Sequence, residues 1–347
     1  MTERQYKDLA DKNEWPFFPN PVSLFNTHVP YFPPENFTIV TGNSSSGKSS
    51  FTKWMLFQFI EFAIKENKHL LILFLLLEET VEQFRYSLKS YLIFKNYGLE
   101  LTMADMMSVS MIDGKRRILT NQELKVCEDI EPEVEQYMSY FKLNSPKSKN
   151  PFGLYKWVRE AARENGNFYY EGKLLSAAEL KTSDKYDAYV QNPNSTMFLV
   201  VDNCNNLTSE NQMTEKQTIR KFVGEYVNQY ITKYFKIHTF ILQQQGKQTM
   251  DLDHIQAGYI YPTLGSLSVD KDTGNDARIV LGITDVFENE KMYKWPPSTK
   301  TYDRVMWADN SRVLNIPKNT LFGSRLTTTD KMIFMGFKGK CCTFYKV

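Results

Sequence analysis

The densest chemistry in this sequence lies at residues 42–50, Gly42-Asn43-Ser44-Ser45-Ser46-Gly47-Lys48-Ser49-Ser50. Two glycines enclosing four small polar residues let the backbone curl until successive N–H groups converge on phosphate oxygens. Lys48 then reaches the β and γ phosphates of a nucleoside triphosphate, and the Ser49 hydroxyl ligates Mg²⁺. Carboxylates stand at two further points. Glu78 and Glu79 follow the apolar run Leu70–Leu77, and Asp202 follows Met197–Val201. A carboxylate at the tip of a buried parallel strand sits beside the phosphate loop of a doubly wound sheet. So placed, Glu78 polarises the water that attacks the γ-phosphate, and Asp202 holds Mg²⁺ through water. Glu79 fits better as the opening residue of the next helix, where the dipole favours an anion. A third apolar run, Ile237–Leu242, ends in Gln243-Gln244-Gln245. There a polar residue either senses the γ-phosphate or belongs to a solvated loop, and the spacing fits both.

These side chains need rigid mounts, and the sequence offers them. The run Phe37–Val40 reads as a strand before the glycine loop, and an amphipathic helical pattern follows Lys48. The continuous apolar run after His69 reads as a parallel strand buried on both faces. The polar stretch from Leu143 to Gln191, with a loop at 144–151 and a helical pattern at 155–165, reads as an inserted subdomain within one domain over 36–347, preceded by an arm over 1–35. The fold class this predicts is α/β, a mostly parallel sheet flanked by helices.

Composition narrows the function. The 347 residues carry 42 Lys+Arg against 40 Asp+Glu, a net charge of +2, which excludes a strongly cationic nucleic-acid coat. Any nucleic acid must therefore be held by local basic loops. With 24 Phe, 20 Tyr and 5 Trp the chain has ample surface to bury, so extensive disorder is excluded too. Its 4 cysteines form no CxxC pair and its 4 histidines are scattered, leaving free thiols and no zinc spacing. The polar start excludes a secretory signal, and no apolar run spans a bilayer. A cytoplasmic protein is expected.

Taken in order along the chain, these stretches resemble the RecA-like ATPases, and among them the C-terminal motor domain of DnaB-type replicative helicases. The resemblance rests on the glycine loop, on Leu77-Glu78-Glu79-Thr80 with Gln83 and Arg85, and on Leu199-Val200-Val201-Asp202-Asn203. It continues through Phe240–Lys247 and Pro262–Ala277. It implies ATP and Mg²⁺ as ligands, Glu78 as catalytic glutamate, Asp202 as the Mg²⁺-associated aspartate and Gln244 as γ-phosphate sensor. It also implies a hexameric ring on single-stranded DNA moving 5′ to 3′, with primase among the partners. The family's Lys-x-Arg-x-Gly segment, which reaches a neighbour's ATP, is matched by Lys318 and Gly323, but Thr320 stands where the arginine belongs. Such an arginine contributes roughly 10³ to 10⁵ in rate, so slow hydrolysis or a substitute is expected, with Arg325 and Arg312 nearest in sequence. The family's N-terminal helical domain has no counterpart in residues 1–35, which suggests a phage- or plasmid-encoded form.

Candidate DNA contacts are Lys216 after Asp202, Lys247 after Gln244, and the cluster Lys115-Arg116-Arg117, which a solvated helix start explains as well. Two other functions fit the same residues: a RecA-type filament ATPase, and a DNA-binding regulator with weak hydrolysis.

Overall fold

The computed structural model describes residues 2–11, 17–182, 186–192, 195–210, 212–246, 261–268, 270–285, 311–327 and 332–346. Its strands are β1 (Phe37–Gly42), β2 (His69–Leu76), β3 (Met111–Ile112), β4 (Lys115–Arg116), β5 (Phe141–Asn144), β6 (Gly166–Tyr170) and β7 (Lys173–Leu174). They continue with β8 (Ala188–Gln191), β9 (Ser195–Asp202), β10 (His238–Gln244), β11 (Ile279–Asp285), β12 (Ser311–Asn319), β13 (Ile333–Lys338) and β14 (Thr343–Lys346). The helices used below are α1 (Glu3–Asp11), α2 (Lys48–Lys65), α3 (Val81–Tyr97), α4 (Met103–Met106), α5 (Asn121–Asp129), α6 (Glu131–Met138), α7 (Pro151–Glu164), α8 (Ala177–Thr182) and α9 (Glu215–Lys221). Nine strands form one sheet in the order β14-β13-β12-β11-β1-β10-β9-β2-β5. From β11 to β5 every pairing is parallel, and β12, β13 and β14 add an antiparallel extension.

The sheet is covered on both sides, which is why its central strands read as unbroken apolar runs. Alternation divides them: Ile72, Phe74 and Leu76 enter one core, while Leu73, Leu75 and Leu77 enter the other. The first core holds α2 and α3. Helix α2 buries residues on nearly every side, Phe51, Trp54, Phe57 and Phe59 among them. It is covered in turn by residues 17–36, a loop closed by the Pro19–Tyr31 bridge that inserts Phe18, Phe25 and Phe32. Phe344 of β14 packs edge-on against Phe51, with ring centroids 5.4 Å apart.

The second core holds α7 and the π-helical stretch Phe222–Tyr234 that continues α9. The segment 143–191 therefore has several destinations. Leu143 and Asn144 finish β5 in the main sheet, α7 buries Leu154, Tyr155, Val158 and Ala161 against it, and β7-β6-β8 form a small separate sheet. A further excursion, from α4 through the β3–β4 ribbon to α5 and α6, lies between α3 and β5.

Candidate nucleotide site

Parallel strands deliver their C-terminal ends to one edge, and there β1, β2, β9 and β10 bring the glycine loop together with Glu78, Asp202 and Gln244. The loop turns through Ser45 at φ 62° and Gly47 at φ 95° before α2 begins at Lys48. Gly47 supplies a left-handed backbone at no steric cost. Gly42 answers a different need: a Cβ there would stand 2.3 Å from the Ile283 carbonyl oxygen and 2.5 Å from Ser46 Oγ. Lys48 Nζ donates to the Asn43 carbonyl at 2.7 Å, curling the side chain over the loop. Burial pushes the Lys48 ammonium down to about 8, against the opposing pull of Asp202 and Glu78.

Asp202 is buried at the tip of β9. Burial raises its carboxyl to about 7, the Ser49 hydroxyl bond opposes this, and the negative charges of Glu78 and Glu79 add to it. Its Oδ1 is buried with no hydrogen-bond partner among the described residues, and the same holds for Ser46 Oγ. Unpartnered buried oxygens are costly, so these two mark where a ligand belongs. Ser49, Glu78, Glu79 and Asp202 line one cleft of about 440 Å³. The loop and cleft thus fit a nucleoside triphosphate with Mg²⁺. Asp202 and Ser49 are the residues that would hold the metal, and when bound it neutralises phosphate charge.

Glu78 is exposed at the mouth of the cleft and is oriented by two amides. Asn203 Nδ2 donates to its Oε1 at 3.1 Å and Asn206 Nδ2 at 2.9 Å. The role of Asn206 cannot be read from the sequence, because it follows from the turn Cys204–Asn206 folding back across β2. Glu79 does not open α3. Thr80 caps that helix in a reciprocal box with Gln83. Glu79 instead pairs with Lys53 at 2.9 Å in α2.

The three glutamines separate cleanly. Gln243 is buried, donating to the Ser268 and Asp270 carbonyls and accepting from Thr273. Gln245 is buried, donating to Thr41 Oγ1 at 2.6 Å. Gln244, half-buried, lies opposite Gly42 in the β1–β10 register, and its backbone N–H donates to Asn205 Oδ1 at 3.1 Å.

Arg312 differs from the exposed neighbour-reaching arginine expected of it. Its guanidinium is buried in its own subunit's site, donating to the Ser46 carbonyl at 2.9 Å and pairing with Asp285 at 2.7 Å. It also stacks on Phe337, 4.8 Å from the ring centroid. The antiparallel extension thereby clamps the glycine loop. Lys318 and Arg325 lie elsewhere. Because β12 starts at the loop edge and runs antiparallel to β11, Lys318 stands opposite Val280, roughly 20 Å from Arg312 at 3.3 Å per residue.

Of the basic residues proposed for DNA, Lys216 is exposed in α9 and Lys115 is exposed in the β3–β4 ribbon. Arg116 donates to the Ser108 carbonyl, and Arg117 is engaged by Asp105 at 3.2 Å and Glu123 at 2.6 Å. Arg117 is therefore committed to carboxylates of its own chain. Lys247 lies outside the described residues.

Neither a protein-family model nor a curated protein sequence matches the chain. Solved structures do. A structure of an isolated ATPase domain superposes with a TM-score of 0.67 at 10% identity, over 99% of this chain and 96% of that one. A DnaB-like replicative helicase, described together with its interactions with primase, gives 0.64 at 11% identity over 99% of this chain and 65% of the helicase. At such identities what is shared is the fold, and the fold of this chain is that of a RecA-like P-loop ATPase domain, in the arrangement that these two proteins display.

Proposed function

We propose that this chain is an ATP-hydrolysing motor of the DnaB helicase type, which assembles into a six-membered ring and moves 5′ to 3′ along single-stranded DNA. The observation that carries the hydrolytic part is Glu78, held by two asparagine amides at the mouth of a cleft that also contains Lys48, Ser49 and Asp202. Glu78 takes the proton of the attacking water, Lys48 and the loop N–H groups hold the phosphates, and Gln244 reads the γ-phosphate from the tip of β10. Support for the motor part is the match of 99% of the chain to a DnaB-like replicative helicase. Primase, named with that helicase, is the first protein partner to try in a pull-down.

Strand displacement on forked DNA with ATP is the direct test. The wild type should release the labelled strand, and Lys48→Ala should abolish both release and ATP turnover. Intact ATP turnover without release, with open helices instead of closed rings under the electron microscope, would replace the motor by a filament ATPase. Unchanged turnover in Lys48→Ala would remove the site assignment itself.

A further inference from the structure

Position 320 is a threonine in an element that should present an arginine to a neighbour, and the fold places an arginine directly beside it. The Thr320 backbone N–H donates to the Arg278 carbonyl at 3.0 Å, and its hydroxyl donates to the same oxygen at 3.3 Å. Arg278 is 42 residues away in sequence yet lies next to the start of β11, against the end of β12. Its side chain is exposed and forms no ion pair among the described residues. It borders an open cavity of about 410 Å³, lined also by Asn36, Asn228 and Asp276. Lys318 is close enough that burial and then the Arg278 charge, ahead of the Arg325 charge, lower its ammonium pKa. Lys318 Nζ is aimed by the Gly274 and Asn275 carbonyls at 3.0 and 2.6 Å.

In its own subunit this pair cannot serve the phosphates, because the glycine loop lies at the opposite end of the strands. At that loop edge the arginine present, Arg312, is already occupied by Ser46 and Asp285. A site of this kind needs a second positive charge on the γ-phosphate as hydrolysis develops.

We infer that Arg278, seated beside Lys318, supplies this charge across the boundary to the nucleotide of a second copy of the chain, in the place that Thr320 leaves vacant. The inference rests on the ATPase reading above and assigns its missing catalytic residue.

The test is a subunit-mixing experiment with the full chain. Arg278→Ala should bind a fluorescent ATP analogue and melt like the wild type, since the side chain is exposed, yet lose about 10³-fold in ATP turnover. Arg325→Ala should lose far less. Lys48→Ala and Arg278→Ala are each inactive alone, but mixed in equal amounts they regenerate whole sites where an Arg278→Ala protomer meets the Arg278 of a Lys48→Ala protomer. Random mixing in a closed ring makes that about one boundary in four, so turnover should return to about a quarter of the wild-type rate. Arg278→Lys, which keeps charge without the planar fork, should recover part of the loss. Wild-type turnover in Arg278→Ala would overturn the inference. So would a mixture no more active than its components when native mass spectrometry shows mixed rings. A wild type that hydrolyses ATP without unwinding DNA sinks the motor reading alone and leaves this result standing.

Discussion

Glu78 owes its aim to Asn203 and Asn206, and the three residues should separate in kinetics. Glu78→Gln removes the general base and should lower turnover by about 10² to 10⁴ while nucleotide binding persists. Asn206→Ala removes one of two orienting bonds, worth about 1 kcal/mol, and should cost roughly five-fold in rate. Steady-state phosphate release and a binding isotherm for each variant give the comparison. A larger loss for Asn206→Ala than for Glu78→Gln would contradict the assignment of the base. At this scale legibility in the sequence followed range. The glycine loop was readable because its requirement is local backbone geometry, and Glu78 and Asp202 were readable because strand tips converge. Arg312 and Arg278 were not, since each is brought to its place by strand pairing between segments far apart in the chain. The glutamine triplet was ambiguous until hydrogen bonds to Ser268, Thr273 and Thr41 showed which two are structural.

Elements join through His238, the first residue of β10. It is fully buried against Phe32, Phe198 and Phe240, with Nδ1 on the Pro33 carbonyl at 2.7 Å and Nε2 on Thr38 Oγ1 at 3.1 Å. It thereby ties residues 17–36 to β1 and β10. Burial pushes its imidazole down to about 4, the Pro33 bond opposing. The folded state consequently binds fewer protons than the unfolded chain between pH 4 and 6.5, and stability falls as pH drops through that window. The slope approaches about 1.4 kcal/mol per pH unit. Urea midpoints at pH 7 and pH 5 should show the loss, and His238→Gln should flatten it; an unchanged slope in that variant would assign the effect to other groups. The strands and flanking helices were legible because apolar runs and amphipathic patterns report burial. Residues 17–36 were not, because an irregular segment carries no periodicity even when Phe18, Phe25 and Phe32 make it part of the core.

For the whole molecule, a net charge of +2 leaves little long-range attraction for a polyanion, so DNA affinity should depend on assembly. Binding of a labelled single strand should strengthen when ATP promotes rings and weaken steeply with added salt, the slope counting displaced counterions. Equal affinity for ring and monomer would argue that a single subunit holds the strand. The fold also sets an order in time. Synthesis produces the glycine loop early, but the Arg312 side chain that holds the Ser46 carbonyl comes 266 residues later, and Phe337 beneath it later still. At about 5 to 20 residues per second a ribosome needs on the order of tens of seconds to cover that interval. Throughout that delay the emerging chain displays a phosphate loop without its clamp, so competence to grip nucleotide arrives only once nearly all of the sheet is available to fold, and half-made chains are kept from acting as motors.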